Sequence, residues 1–458
     1  MAAACGGYCT AVVVEDGCVC AFGRGDYGQL GLSSQEHQRQ PARRPVGDAP
    51  VCMVAAGTCH QAAVAQDGAI LTCGAGIDGQ LGHGDGLARL RPTRLGPELF
   101  GGSRVVLVAC GGYHTMAVTG AGRVWTCGRN ANGQLGHGDK TSRQAFTLVD
   151  PGQFVWGGCS IVVGACGDAH SVVASADGDV FTWGLGACGR LGHSDEQDRL
   201  TPARLGRQQF GGGKIVLVAA GFKHTVAVAE GGVLWVWGAG GRGQLGLGDT
   251  DGRLVPTRLG ADEVFGGSRV CTPACGALHT LVVTEDGVLW AFGKGENGRL
   301  GLNDEVDRLV PARVDPQRFA GAQIATVAAG WEHSAALTEG GALFTWGRGE
   351  VASYARSQVP AGLGHADLCD RLVPTLVSPR LLGGVRVGRC HGLADELALA
   401  FAMGTHARLG AAAEEGEDKE CPYLMMPGEL VKRVVDACRW DAGKVATAVV
   451  RLMGGKRS

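Results

Sequence analysis

Short runs of aliphatic and β-branched residues recur along the chain, each bounded by glycine or by charged residues. Two of them are Val105-Val106-Leu107-Val108 and Ile215-Val216-Leu217-Val218, which have the composition and length of buried strands. Elsewhere Thr115-Met116-Ala117-Val118, a glycine turn and Arg123-Val124-Trp125-Thr126 follow one another, an order that predicts a β-hairpin. The pattern therefore predicts an all-β protein.

These segments belong to a repeat. A Gly-x-x-His motif recurs at spacings of 54 to 56 residues, and a glycine turn, an aromatic-or-Cys-Gly pair and a Leu-Gly pair follow each copy. The first unit has Cys9 at the histidine position and completes a set of seven with His60, His114, His170, His224, His279 and His333. Each unit has room for four short strands but is too small to bury its own faces, so neighbours must stack. The expected fold is a seven-bladed β-propeller of four-stranded antiparallel blades, with a short, partly helical carboxyl-terminal tail.

The two ends of the chain predict how the ring closes. The first unit lacks the apolar run that precedes the other motifs, and residues 382–387 resemble residues 100–105. We expect this late segment to complete the first sheet, which gives a propeller over 1–403. Residues 404–458 form an acidic linker and a short basic tail, in which apolar residues at helical spacing over 428–440 predict a helix that docks on the propeller or on a partner.

Charge and composition exclude several classes of function. The 79 glycines among 458 residues fall largely at the repeated turns, and the net charge of −2 gives no field that favours a membrane or nucleic acid. No signal peptide or transmembrane segment is expected, so an intracellular location is predicted, cytoplasmic rather than nuclear. The 18 cysteines are expected as free thiols.

No metal, cofactor or catalytic group is expected. Six histidines with one in each blade are too dispersed to meet at a metal ion, and we expect each to be buried and hydrogen-bonded to the backbone of its own blade. Cys110, Cys166 and Cys275 align with alanines and are expected as small core residues. An Asp-x-x-x-Arg pair recurs after the Leu-Gly element, as at Asp249 and Arg253, and either braces its loop or offers a charged ring to a partner.

The repeat resembles that of the regulator of chromosome condensation family, over roughly residues 5–403. A clear example is Trp237-Gly238-Ala239-Gly240-Gly241-Arg242-Gly243-Gln244-Leu245-Gly246. The resemblance implies a seven-bladed propeller, in a family that includes a nucleotide exchange factor for a small nuclear GTPase, a plant ultraviolet-B photoreceptor and docking modules. The photoreceptor subgroup has repeated Gly-Trp-Arg-His-Thr motifs, of which only Trp331 is present here. A basic amino-terminal arm, which would favour the exchange factor, is not expected.

Residues that break the repeat are the candidates for a specific function. Tyr113, Phe222 and Trp331 lie between the glycine and histidine of their motifs, and an insertion of nine residues within 350–361 carries Tyr354 and Arg356. Aromatic residues and arginine are enriched at protein interfaces, so these five are predicted to form a protein-binding face, with packing of the aromatic residues into the blades as the alternative. The predicted function is a non-catalytic docking or scaffold module whose partner is a protein, either a small GTPase or a larger assembly; the alternative is guanine-nucleotide exchange on a small GTPase.

Overall fold

The computed structural model describes residues 3–44, 49–150, 156–260, 264–351, 359–382 and 387, which all lie in one compact unit, Met1–Cys390. Within these residues, seven four-stranded antiparallel sheets follow one another along the chain. The predicted propeller is therefore confirmed. The predicted tail helix, Tyr354 and Arg356 lie outside the described residues, and the division of the chain at residue 403 stays a prediction.

In blades 1 to 6 the four strands are consecutive in sequence, and in blade 7 a short hairpin lies between the third and the fourth; the innermost strand comes first in every blade. The strands are Ala3–Cys5, Cys9–Val13, Val19–Gly23 and Gln38–Arg44 in blade 1; Val51–Ala56, His60–Ala65, Ile70–Gly74 and Arg89–Leu95 in blade 2; Val105–Cys110, His114–Thr119, Val124–Gly128 and Arg143–Leu148 in blade 3; Ile161–Cys166, His170–Ser175, Val180–Gly184 and Arg199–Leu205 in blade 4; Ile215–Ala220, His224–Ala229, Leu234–Gly238 and Arg253–Leu259 in blade 5; Val270–Cys275, His279–Thr284, Leu289–Gly293 and Arg308–Arg313 in blade 6; and Ile324–Ala329, His333–Thr338, Leu343–Gly347 and Arg371–Leu376 in blade 7.

Shorter elements lie in the connections. Near the two ends of the insertion in blade 7, Glu350–Val351 and Val359–Pro360 pair as a two-stranded hairpin. The 3₁₀ helices are Pro97–Phe100, Ala187–Gly189, Arg207–Phe210, Glu296–Gly298, Pro316–Phe319 and Pro379–Leu382. None of the helices among the described residues has the length and apolar character that crossing a membrane requires.

The core lies between neighbouring blades. Every residue of the second strand is buried in all seven blades, because this strand is covered on both faces. Val172 and Ala174 of blade 4, for example, pack in one cluster with Val218 and Ala227 of blade 5. Nearer the axis the blades converge and only small side chains fit. The penultimate residue of each innermost strand is accordingly alanine, at Ala4, Ala55, Ala109, Ala165, Ala219, Ala274 and Ala328.

The glycine at the end of each third strand has a specific structural role. Gly238, for example, has φ +103°, and a β-carbon there would lie 2.5 Å from the carbonyl oxygen of Lys223. Only glycine combines this backbone conformation with such a close approach.

The first blade differs from the sequence-based expectation. All four of its strands come from residues 3–44, and Ala3–Cys5 takes the place of the missing apolar run. The late segment contributes an isolated antiparallel bridge between Val387 and Val14, which corresponds to the pairing of Val105 with Thr119 in blade 3. The innermost strand of blade 1 therefore has a contribution from each end of the ring. Leu382 and Val387 pack in the same cluster as Phe22 of blade 1 and Leu337 of blade 7.

Candidate functional site

Two loops of every blade open on the same face of the ring. One is the Gly-x-x-His loop between the first two strands, and the other joins the third strand to the fourth. We call the two x positions the first and second slot residues. The first slot residues, Gly7, Thr58, Gly112, Asp168, Phe222, Ala277 and Trp331, all line one end of the central channel. The second slot residues are Tyr8, Cys59, Tyr113, Ala169, Lys223, Leu278 and Glu332, and together the two sets form what we call the channel mouth.

The channel itself has a volume of about 370 Å³ and is lined by the innermost strands of all seven blades. Cys5, Cys110, Cys166 and Cys275 line the channel at the inner edges of their blades and are half-buried. Cys166 and Cys275 also pack against core clusters, as the sequence suggested. Burial raises the pKa of Cys5 and of Cys166 to about 12, which keeps these thiols protonated and poorly reactive at neutral pH.

Phe222 and Trp331 meet at the channel mouth although they lie two blades apart. Their ring centroids are 6.1 Å apart in an edge-to-face arrangement. The intervening blade 6 places the small Ala277 at the same position, which leaves room for the contact. Trp331 also packs edge-to-face on Tyr8 of blade 1, at 5.2 Å. Tyr8, Phe222 and Trp331, which we call the aromatic cluster, are half-buried and so combine fixed positions with accessible surface.

Of the sequence-predicted residues, the structure brings together Phe222 and Trp331 but places Tyr113 apart from them. Tyr113 is half-buried in blade 3, and the guanidinium of Arg129 lies 5.7 Å from its ring centroid. Sequence reasoning missed Tyr8, because the first unit has cysteine in place of the motif histidine. The available signal was its position directly before Cys9, which matches the second slot of the other units.

Two buried arginines fix the backbone of the two first-slot aromatic residues. Arg190 Nη1 donates to the carbonyl oxygen of Phe222 at 3.1 Å, and Arg299 Nη1 donates to that of Trp331 at 3.2 Å. The same position is glutamine in four other blades, at Gln29, Gln80, Gln134 and Gln244. Those glutamines accept a hydrogen bond from the backbone of their own loop, as Gln244 does from Arg242. Arginine is therefore found in the two blades that precede a large aromatic first slot residue.

Charged residues surround the aromatic cluster. Glu332 forms salt bridges with Arg348 at 2.6 Å and with Arg299 at 3.4 Å, and Arg24 pairs with Asp26 at 2.7 Å. On the other side of the mouth, burial raises the pKa of Asp168, and the nearby cations Arg190, Arg129 and Lys223 oppose this rise. The Lys223 ammonium lies 5.5 Å from the ring centroid of Phe222. The mouth thus combines apolar rings with cations.

The motif histidines connect the blades. Each of the six is fully buried, and its Nε2 lies 2.9–3.0 Å from a hydroxyl of the next blade: Thr115, Ser171, Thr225, Thr280, Ser334 or, for His333, Thr10. Each hydroxyl donates its single hydrogen to a backbone carbonyl, as Thr280 does to Gln244. The histidine must therefore donate from Nε2. The expectation of a bond to the backbone of its own blade was wrong, because the second strand of the neighbouring blade brings a hydroxyl closer.

The junction between blades 1 and 2 is built differently. Cys9 stands in for the histidine and Gln61 for the hydroxyl residue, and Gln61 Nε2 contacts Cys9 Sγ at 3.4 Å. Arg44, which is 2% exposed, donates to Gln61 Oε1 at 3.0 Å and to the carbonyl oxygen of Leu30 at 2.6 Å. A buried guanidinium thus replaces the histidine as the link between these two blades.

The repeated Asp-x-x-x-Arg pairs are local ion pairs within one loop. Asp249 accepts from Arg253 at 2.6 Å and from the backbone N–H of Asp251 at 3.0 Å. These two donors lower the pKa of Asp249. The equivalent pairs are Asp85 with Arg89, Asp139 with Arg143, Asp195 with Arg199, Asp304 with Arg308 and Asp367 with Arg371. This geometry favours the loop-bracing interpretation.

Comparison with known proteins agrees with the fold and the repeat. The family model described as RCC1-like domain matches residues 1–271 and 98–448, and the chain therefore belongs to the RCC1-like domain family. It is 34% identical over 369 residues to the ultraviolet-B receptor UVR8 of Arabidopsis thaliana, which covers 80% of this chain and 79% of the receptor.

Solved structures show the same fold. The structure of human WBSCR16 is similar with a TM-score of 0.69 and 25% identity, over 79% of this chain and 94% of that one. Prp20p of Saccharomyces cerevisiae is similar with a TM-score of 0.67 and 22% identity, over 78% of this chain and 85% of that one. The photoreceptor subgroup repeats the Gly-Trp-Arg-His-Thr motif, whereas only one of the seven first slot residues of this chain, Trp331, is tryptophan.

Proposed function

We propose that this protein is a non-catalytic docking module that binds a protein partner at the channel mouth. The observation that carries the proposal is the aromatic cluster of Tyr8, Phe222 and Trp331, in which two of the three backbones are held by buried arginines. Large rings that are already fixed lose little side-chain entropy on binding, and such residues supply much of the affinity at interfaces. The surrounding charged residues would form the polar rim of the interface.

The rigid ring suits this role. Six histidine links and the Arg44 junction join neighbouring blades, so a partner would meet a preformed surface rather than order one on binding. The groups buried at these links serve the fold: the histidines donate to neutral hydroxyls, and their pKa values are lowered by burial, to about 4 for His60 and His224. Binding at the mouth, rather than chemistry in the ring, is the function that this arrangement favours.

The test is affinity purification with quantitative mass spectrometry from cells that express the full chain. The double variant Phe222→Ala with Trp331→Ala is compared with Leu99→Ala, a control on a side chain that is 48% exposed in the connection between blades 2 and 3. We expect the double variant to lose partners that both the wild type and the control retain, with an unchanged melting temperature. Equal partner sets for all three proteins would refute docking at the mouth.

Nucleotide exchange on a small GTPase is the second candidate. The hairpin of Glu350–Val351 with Val359–Pro360 favours it, because Arg348, which joins this hairpin to Glu332, donates to the carbonyl oxygen of Glu350 at 2.6 Å. A short two-stranded hairpin thus begins directly beside the mouth. Prp20p, of the same fold, is described with binding to Gsp1p and histones. Release of a fluorescent guanine nucleotide from purified small GTPases would test this function; no acceleration by the full chain would reject it.

A further inference from the structure

The inner ring of charges at the channel mouth has a positive balance that the chain as a whole lacks. Charged groups that are slot residues or lie directly beside them are the cations Arg24, Arg129, Arg190, Lys223, Lys294, Arg299 and Arg348 and the carboxylates Asp26, Asp78, Asp168, Glu296 and Glu332. The whole chain has a net charge of −2. The cations therefore outnumber the carboxylates around the mouth, although acidic residues outnumber basic ones in the whole chain, 44 to 42.

Most of these cations already have a carboxylate partner. Arg24 pairs with Asp26, Lys294 with Glu296, and both Arg299 and Arg348 with Glu332.

Arg129 and Lys223 differ, since neither forms a salt bridge with a carboxylate of the described residues. Each lies instead near the ring of its neighbour, Arg129 at 5.7 Å from the Tyr113 centroid and Lys223 at 5.5 Å from the Phe222 centroid. Arg129 is exposed and Lys223 half-exposed, so both are accessible to a ligand.

Asp168 lies between these two cations at the edge of the channel. It is half-buried, and its carboxyl pKa is raised by burial and lowered by Arg190, Arg129 and Lys223. Asp168 therefore offsets only part of the charge of the three nearby cations. The positive potential that remains at the mouth can attract a carboxylate of a partner.

We propose that the channel mouth recognises an acidic protein segment that also carries an apolar side chain, with the carboxylates held by Arg129 and Lys223 and the apolar group on the Phe222–Trp331 pair. This inference rests on the docking function proposed above and adds the chemistry of the partner. Carboxylates gain charge-assisted hydrogen bonds from these two side chains. The aromatic rings provide the desolvated anchor.

The outer part of the same face disfavours nucleic acid. The loop-bracing aspartates surround the mouth with side chains that are 38–50% exposed. Each of these aspartates is paired with an arginine of its own loop, so the pairs add no net positive charge for an extended phosphate backbone that crosses the face. A short peptide, by contrast, can reach the centre without contacting them. A binder of nucleic acid needs many phosphate contacts along the strand, and Arg129 and Lys223 alone do not provide them.

The experiment measures the fluorescence anisotropy of labelled probes with the full chain. The probes are a short peptide of glutamates that flank a central Leu-Trp pair, its counterpart with lysines in place of the glutamates, and a single-stranded DNA oligonucleotide. We expect the acidic peptide to bind more tightly than the other two probes. Its affinity should fall by about tenfold or more in the double variant Arg129→Glu with Lys223→Glu, and should also fall with added salt.

The matched control is Arg318→Glu, which reverses an exposed cation in the 3₁₀ helix of the connection between blades 6 and 7. This variant should bind the acidic peptide like the wild type, and the melting temperatures of all variants should agree. Absence of binding, equal or tighter binding of the lysine peptide or the DNA, or an unchanged affinity after the double reversal would overturn the proposal. If Phe222→Ala with Trp331→Ala releases cellular partners but the charge reversal does not, docking survives and the acidic segment is rejected.

Discussion

Arg299 donates from Nη1 to the backbone carbonyl of Trp331 at 3.2 Å, across the boundary between blades 6 and 7. The guanidinium side chain is 1% exposed and also contacts the carboxylate of Glu332 at 3.4 Å. Burial lowers the pKa of Arg299, and the charge of Glu332 opposes this shift. The side chain is therefore an internal support for the loop that presents the most central aromatic residue of the mouth.

Replacing Arg299 with glutamine should loosen Trp331 without disrupting the blade. Glutamine is the residue that four other blades use at this position, so the loop of blade 6 can still form, but the Trp331 carbonyl loses its donor. The expected loss of stability is about 1–3 kcal/mol. The measurement is ¹⁹F NMR of protein labelled with 5-fluorotryptophan, with the Trp331 signal assigned by its absence in Trp331→Phe. We expect that signal to shift and to sharpen as the side chain gains mobility.

The control for this prediction is Arg318→Gln, which changes an exposed arginine in the connection between blades 6 and 7. It should leave the Trp331 signal unchanged, because Arg318 lies outside the channel mouth. Identical Trp331 signals in the wild type and in Arg299→Gln would show that the arginine does not position the tryptophan.

The histidine links predict a cost for removing a single hydroxyl. Thr280→Val keeps the shape of the side chain but leaves the buried Nε2–H of His224 without an acceptor and the Gln244 carbonyl without its donor. The free energy of unfolding should decrease by about 2 kcal/mol, as measured by urea denaturation. Thr257→Val is the control, because Thr257 donates only to the nearby carbonyl of Val255 at the surface. Equal effects of the two substitutions would contradict the role of the link.

Stability should fall in mild acid because the linking histidines are buried in the neutral form. Burial lowers the pKa of His60 and His333 to about 4 and that of His114 to about 3, whereas histidine in the unfolded chain titrates near 6.5. The unfolded state therefore binds more protons between these values, and the stability present above pH 6.5 is lost progressively as the pH decreases. Each such histidine should lower the free energy of unfolding by on the order of 1–2 kcal/mol at pH 5.

The measurement for this prediction is the melting temperature between pH 7.5 and pH 4.5 in buffers of constant ionic strength. This range runs from above the unfolded value of about 6.5 to just above the folded value of about 4, so it covers most of the interval in which the unfolded chain binds more protons. A melting temperature that stays constant over this range would mean that the histidines do not titrate on unfolding.

Ring closure predicts a sharp difference between two truncated chains. A chain that ends at residue 381 loses Leu382 and Val387, which pack against Phe22 and Leu337, whereas a chain that ends at residue 390 keeps both. Burial of each such side chain contributes about 1.5–3 kcal/mol, so the shorter chain should melt at a clearly lower temperature. Equal melting temperatures would show that the late segment does not help to close the ring.

The repeat predicts the fold well because each of its sequence signals arises from the structure of a single blade. The strand runs, the glycine turns and the spacing of the motif histidines each reflect the geometry of one blade, and seven copies reinforce the same interpretation. The partner of each histidine was mispredicted for the same reason: a periodic sequence places equivalent groups in every blade, but it does not say that His224 reaches Thr280 of the next blade rather than its own backbone.

The candidate site was predicted only in part, because it depends on contacts between blades. The sequence marks Phe222 and Trp331 as departures from the repeat, but not that the small Ala277 between them allows the two rings to meet. Arg190 and Arg299 were visible as replacements of the repeated glutamine. Their effect is exerted on the following blade, 32 positions along the chain, and no local pattern indicates it. Tyr354 and Arg356 remain predictions.

The link between His333 and Thr10 has a consequence for how the protein is made. The other five histidine links join residues 55 to 57 positions apart, but this one spans 323 positions. During translation blade 1 emerges before the other six, and its Thr10 hydroxyl gains its histidine donor only after blade 7 has left the ribosome. Any chain that stops short of blade 7 carries two uncovered apolar faces, which is the state most prone to aggregation. Blade 1 is thus synthesised first but completed last, and the ring closes only when blade 7 comes into contact with blade 1.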